Sequence, residues 1–127
     1  MPKHEWKHTL TVDSGTPTTA SYRITYDQSS SLDTSIAANS NNSIVAFTLD
    51  TSILESLLML ADQDLTLRTN NNAAPGDTIN LKANRPLIWN GEDGYFASPF
   101  ANNVSVLYVT STATVSASLK IYTLTDP

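Results

Sequence analysis

Apolar side chains return at every second position in segment after segment of this chain, and that period of two most narrows what it can fold into. In Asp64-Leu65-Thr66-Leu67-Arg68 the two leucines share one face, and in Thr78-Ile79-Asn80-Leu81-Lys82 the pattern returns around Ile79 and Leu81. Ala117, Leu119 and Ile121 alternate with Ser118, Lys120 and Tyr122, and Ser21 to Tyr26 alternates near the start. A strand turns successive side chains to opposite faces, so each run reads as a strand with one face buried. Val104 to Thr110 is more continuously apolar, which suits a central strand covered on both faces.

Turn signals separate these runs: Asp13-Ser14-Gly15, Asn39 to Ser43, Asp62-Gln63-Asp64, Asn70 to Asp77, and Asn90-Gly91 through Gly94. Their short, fairly regular spacing predicts an all-β fold, a single antiparallel β-sandwich or jelly roll of about eight strands. Asp50 to Ala61 is the one exception to the period. Asp50 or Thr51 could cap a helix there, with Ile53, Leu54, Leu57 and Leu58 at helical spacing, so at most one short helical turn is expected near residues 50–57. A strand through Leu57 to Leu60 should follow. At 127 residues the chain fits one sandwich domain spanning residues 1–127, with residues 1–12 as an N-terminal arm or edge strand.

Only 15% of residues are charged, while Ser, Thr and Asn are abundant. Such side chains compete with the backbone for hydrogen bonds and suit exposed strand faces better than helices. With no cysteine, disulfides and thiolate metal sites are excluded. The net charge of −5 and the scatter of only seven cations argue against a nucleic-acid partner. No apolar run is long enough for a membrane span, and the charged first ten positions do not resemble a signal peptide, so the chain reads as soluble and unprocessed.

Residues 4 to 8 spell HEWKH, the H-E-x-x-H of zinc metalloproteases. That motif works on a helix, which sets both His side chains toward one metal and aims the Glu at its bound water. Here the run continues into Thr9, Thr11 and Val12, which favour a strand. On a strand His4 and His8 would lie roughly 13 Å apart, too far to share a metal. A third ligand in a recognisable spacing is also missing, so the spelling is expected to be a chance match. Asp62-Gln63-Asp64, with Asp77 or Asp93, could attract calcium but lacks the register of a calcium loop, and solvated turn acids are the expectation. There is no G-x-S-x-G elbow, and the glycines at 15, 76, 91 and 94 form no phosphate-cradling loop. The chain is therefore expected to be no enzyme, with no catalytic, metal-ligating or cofactor-binding residue assigned.

Aromatic residues supply the contact candidates. Trp89 ends the strand-like Pro86 to Trp89, and the following loop carries Tyr95, Phe96 and Phe100, which either cap the end of the sandwich or anchor a partner. On strand alternation Trp6 shares a face with His4 and His8, a stripe that suits an exposed edge, an arm onto a neighbour, or core packing of Trp6.

The second half of the chain, through DQDLTLRTN, TINLKANRPLIWN, GYFASPF and VLYVTSTATVSASLKIYTL, resembles accessory head proteins of tailed bacteriophages, the decoration or cement kind. The similarity spans roughly residues 43–127 and is one of texture and order, with no invariant chemical motif. It implies a β-rich virion protein on the capsid surface that binds the major capsid protein lattice and stabilises it, as a homo-oligomer, with a trimer favoured. It brings no catalytic positions. Two alternatives stand beside it: a carbohydrate-binding sandwich in which Trp89, Tyr95 and Phe96 form a stacking platform, and a phage tail or fibre component.

Overall fold

The computed structural model describes residues 2–26, 28–92 and 94–127. Among these residues the chain is almost entirely strand: β1 (Lys3–Leu10), β2 (Thr18–Thr25), β3 (Gln28–Ile36), β4 (Ser43–Val45), β5 (Leu54–Ala61), β6 (Leu65–Thr69), β7 (Thr78–Leu81), β8 (Leu87–Asn90), β9 (Leu107–Ser111) and β10 (Ala117–Thr125). A single 3-10 turn, Thr51–Ile53, sits just before β5. The Asp50 side chain caps it by accepting the Ser52 N–H at 3.0 Å. The helical spacing of Ile53, Leu54, Leu57 and Leu58 extends no further, and the strand begins at Leu54 rather than Leu57.

Eight strands form two four-stranded sheets, in the orders β3-β10-β5-β8 and β4-β9-β6-β7. All pairings are antiparallel, and they nest: β3 pairs with β10, β4 with β9, β5 with β8 and β6 with β7. Pairing first with last and second with next-to-last is what results when one long hairpin wraps on itself, which makes the sandwich a jelly roll. The other two strands, β1 and β2, pair only with each other in a separate two-stranded ribbon.

Alternation explains the core. Leu57, Met59 and Ala61 of β5 and Leu119 and Ile121 of β10 point inward from one sheet, and they meet Leu65 and Leu67 of β6, Ile79 and Leu81 of β7, and Leu107 and Val109 of β9 from the other. All are nearly fully buried. Each of the larger side chains contributes about 1.5–3 kcal/mol through removal from water. Val104 to Thr110 departs from its expected form. Leu49 bridges to Val104, the strand itself starts at Leu107, and its outer side chains Tyr108 and Thr110 stay half-exposed. It is central in its sheet yet covered on one face only, because only one second sheet exists to cover it.

The abundant amides also serve turn geometry. Asp13, Asn39, Asn42, Asn70 and Asn84 all adopt positive φ, a conformation these short polar side chains tolerate better than others. Asn70 illustrates the pattern: its Oδ1 accepts from the Ser105 N–H and hydroxyl, and its Nδ2 donates to the Asn103 carbonyl. The Asn run thus ties two loops at one end of the sandwich.

Candidate functional site

The ribbon is the feature that departs from a plain sandwich. Its register sets His4 opposite Ile24, Trp6 opposite Tyr22, His8 opposite Ala20 and Leu10 opposite Thr18. Alternation puts these on one face and Lys3, Glu5, Lys7 and Arg23 on the other. Rings line the first face. His4 meets Trp6 edge-on with centroids 5.8 Å apart, Trp6 stacks on His8 at 6.2 Å, and His8 stacks on Tyr22 at 5.7 Å. Such pairs stabilise by about 0.5–1.5 kcal/mol each beyond their buried area.

The HEWKH run therefore lies in a strand, with Glu5 on the face opposite both histidines. Glu5 is held there by Lys3 at 3.1 Å and Arg23 at 2.8 Å. The Lys3 ammonium, and with it the Arg23 guanidinium, keeps its carboxyl below the usual carboxylate range. The helical arrangement on which the zinc motif depends is not formed.

One end of the aromatic face is seated on the outer surface of the β3-β10-β5-β8 sheet. His4 Nδ1 lies 2.7 Å from the Ser56 hydroxyl, which also donates to Asn90 Oδ1 at 3.3 Å. Asn90 Nδ2 in turn donates to the Tyr22 hydroxyl. Ile24 and Leu124, each about fully buried, lie outside the main core and are brought to this joint by their neighbours, since Ile24 pairs with His4 and Leu124 pairs with Ser56. Burial at the joint pushes the His4 pKa below its ordinary value, because a charged imidazole would lose water there.

The other end projects. Leu10 is 66% and Val12 67% exposed, and every residue from 7 to 21 is exposed. A tight turn at Asp13 to Gly15 closes the ribbon, with the Gly15 N–H donating to the Val12 carbonyl. Among the described residues no strand pairs with either outer edge of the ribbon.

The structure separates the aromatic candidates. Trp6 is half-buried on the ribbon between the two histidines. Trp89 is half-buried against the main core, and its indole N–H donates to the Phe96 carbonyl at 2.9 Å. It is not a free platform. Tyr95 and Phe96 are each 81% exposed. Phe100 must be struck from the surface candidates, because it is 1% exposed and its ring packs 6.3 Å from that of Phe47 inside the sandwich. Between the ribbon and the loop after β8 lies an open cavity of about 190 Å³ whose walls include His8, Tyr22, Trp89, Tyr95 and Phe96. Sequence reasoning named three of these five. It missed His8 and Tyr22 as a wall because nothing in the alternation of β2 says which sheet that strand joins.

Turn acids are used structurally. Asp62 accepts the Ser118 N–H at 2.7 Å, Asp64 the Ala83 N–H at 2.8 Å, and Asp77 the N–H groups of Ala101 and Asn102. They bind loops together and are not merely solvated. Asp93, also considered for calcium, lies outside the described residues. Among the described residues no three His, Asp or Glu side chains are grouped so as to hold a metal ion. At the base of the ribbon Tyr26 donates to Glu92 at 2.8 Å, which with burial and the nearby carboxylates raises the phenol well above its ordinary pKa. Burial, then the charges of Asp126 and Glu92, raises Glu55.

No helix among the described residues is long and apolar enough to cross a membrane. No protein-family model, no curated protein and no solved structure matches this chain.

Proposed function

We propose that this chain is a non-enzymatic structural protein of a phage virion that docks on the outside of the capsid shell and reinforces it, in the manner of a decoration or cement protein. The observation that carries the reading is the β1-β2 arm: one end is fixed to a rigid jelly roll and the other presents Leu10 and Val12, at 66% and 67% exposure, to solvent. Two apolar side chains at the tip of a projecting ribbon cost solubility unless a partner covers them. The ribbon also offers two strand edges, which a neighbouring chain can extend by main-chain hydrogen bonds.

The mechanism is one of added interface. Standard specific interfaces bury about 1,200–2,000 Å² in total, and a two-stranded arm plus part of a sandwich face supplies a contact of modest size per copy. Repetition over a lattice, and oligomerisation of the protein as a homo-oligomer, multiply such contacts into high avidity. The jelly roll, with its continuous core, keeps the arm's base fixed so that little ordering entropy is lost on docking. The negative charge of −5 suits an outward-facing part that does not meet packaged DNA.

The test is reconstitution. Purified chain is added to mature heads of the parent phage that lack it, and pelleting with the heads and the temperature of head rupture are measured. The protein should pellet with the heads and raise that temperature. A Leu10→Asp/Val12→Asp variant should keep its own thermal midpoint, since both positions are exposed, yet fail to pellet. Wild-type protein that stays in the supernatant would refute the reading, as would a variant that binds equally well.

A further inference from the structure

We infer that the cavity between the arm and the loop after β8 is a binding site for a single saccharide ring. This goes beyond shell docking and does not depend on it. The inference rests on what the walls are made of. His8 and Tyr22 line the arm side of the cavity, their rings near-parallel with centroids 5.7 Å apart. Ile88 and Asn90 of β8 line the cavity on the body side; Trp89 also borders it, turned toward the core as its pairing with Leu57 requires, and its indole N–H donates to the Phe96 carbonyl at 2.9 Å. That bond fixes the loop so that Tyr95 and Phe96, each 81% exposed, stand at the mouth of the cavity.

Polar groups sit where ring edges would. Asn90 is 8% exposed, and its amide donates one hydrogen to the Tyr22 hydroxyl and accepts one from Ser56. An amide has two N–H donors and two lone pairs, so one of each remains for a ligand. His8 Nε2, 3.4 Å from the Tyr22 hydroxyl, adds a second polar atom at the same wall. A pyranose has C–H faces that lie against aromatic rings and an equator of hydroxyls that both donate and accept, which matches this division. Size agrees. The volume of about 190 Å³ is below the roughly 300–1,000 Å³ of drug-sized pockets, which limits the occupant to about one ring of a longer glycan.

Other occupants fit less well. Among the described residues no carboxylate lines the cavity to complement a cation, although aromatic walls alone can attract one. A phosphate-bearing ligand would meet a chain of net charge −5.

Saturation-transfer NMR on the full chain tests the site, with the methyl glycosides of glucose, galactose, mannose, rhamnose and N-acetylglucosamine as probes and tetramethylammonium as a cation control. At least one glycoside should receive saturation. Tyr95→Ala and Phe96→Ala should each weaken it about three- to tenfold. Ile44→Ala, on the other sheet and 73% exposed, should leave it unchanged. Because Tyr95 and Phe96 are exposed, both variants should keep the wild-type circular dichroism and melting curve. The assignment is overturned if no glycoside is saturated by the wild type, if both loop variants bind as the wild type does, or if tetramethylammonium binds and the sugars do not.

Discussion

Truncating Ile24 to alanine should loosen the arm without unfolding the jelly roll. Ile24 is 1% exposed and lies outside the main core. Removing three carbons at about 0.8 kcal/mol each loses about 2.4 kcal/mol of transfer free energy, and the cavity left behind brings the expected cost to about 2–5 kcal/mol. The chain provides its own reporters, because its two tryptophans divide between the arm (Trp6) and the sandwich (Trp89). Urea unfolding followed by fluorescence in a Trp89→Phe background reads the arm, and in a Trp6→Phe background it reads the body. With a slope near the lower end of about 1–3 kcal/mol per molar urea, Ile24→Ala should move the Trp6 midpoint down by about 2 M or more. The Trp89 midpoint should move far less, since the arm opens as a local unit. As a control, Leu119→Ala, at 0% exposure between β3 and β5, should lower both midpoints together. The reasoning fails if Ile24→Ala costs the arm less than about 0.5 kcal/mol, or if the two probes shift equally.

Three further outcomes are expected. The His4 pKa lies below its ordinary 6.5 in the folded chain, so the unfolded arm takes up a proton first as pH falls. Arm stability is then full above 6.5 and lost progressively below it, and the Trp6 midpoint should drop between about pH 7 and pH 5; an equal drop in His4→Gln would contradict this. Glu55 has the opposite sign, since its raised pKa makes the folded chain the better proton binder, and the stability it contributes at low pH is lost as pH rises through that value. Glu55→Gln should therefore raise the thermal midpoint at neutral pH and leave it unchanged in acid, and a lowered neutral midpoint would count against the account. Asn70→Ala removes three loop-tying hydrogen bonds and strains a φ of 68°, for a loss of about 1–3 kcal/mol in urea unfolding. Asn70→Gly, which relieves the φ strain, should lose less, and equal losses would refute the backbone part.

Strands with a clean period of two were legible from residues alone. Leu65 and Leu67, Ile79 and Leu81, and Leu119 and Ile121 all point into the core as their spacing requires. β3 was not legible, because Ser30 and Thr34 share the inward face with Leu32 and Ile36, and Ser30 bonds the Thr123 hydroxyl at 2.6 Å where an apolar side chain would have marked the face. β4, three residues long, carries no period at all. The jelly-roll order itself rests on pairings such as β3 with β10, set by packing between distant segments. Phe100 shows the same limit: its loop left both a capping ring and a partner contact open, and only the tertiary approach of Phe47 explains its burial. Alternation in β2 correctly announced one covered face, though the arm it forms with β1 lies outside both sheets.

The proposed virion role is tested most directly by cryo-electron imaging of intact phage particles produced from a genome that encodes this chain. Repeating density on the outer shell should accommodate the jelly roll, with the turn between β1 and β2 reaching onto the capsid lattice so that Leu10 and Val12 are covered. Shells without such density, or copies that touch the lattice through another surface while the arm points into solvent, would contradict it.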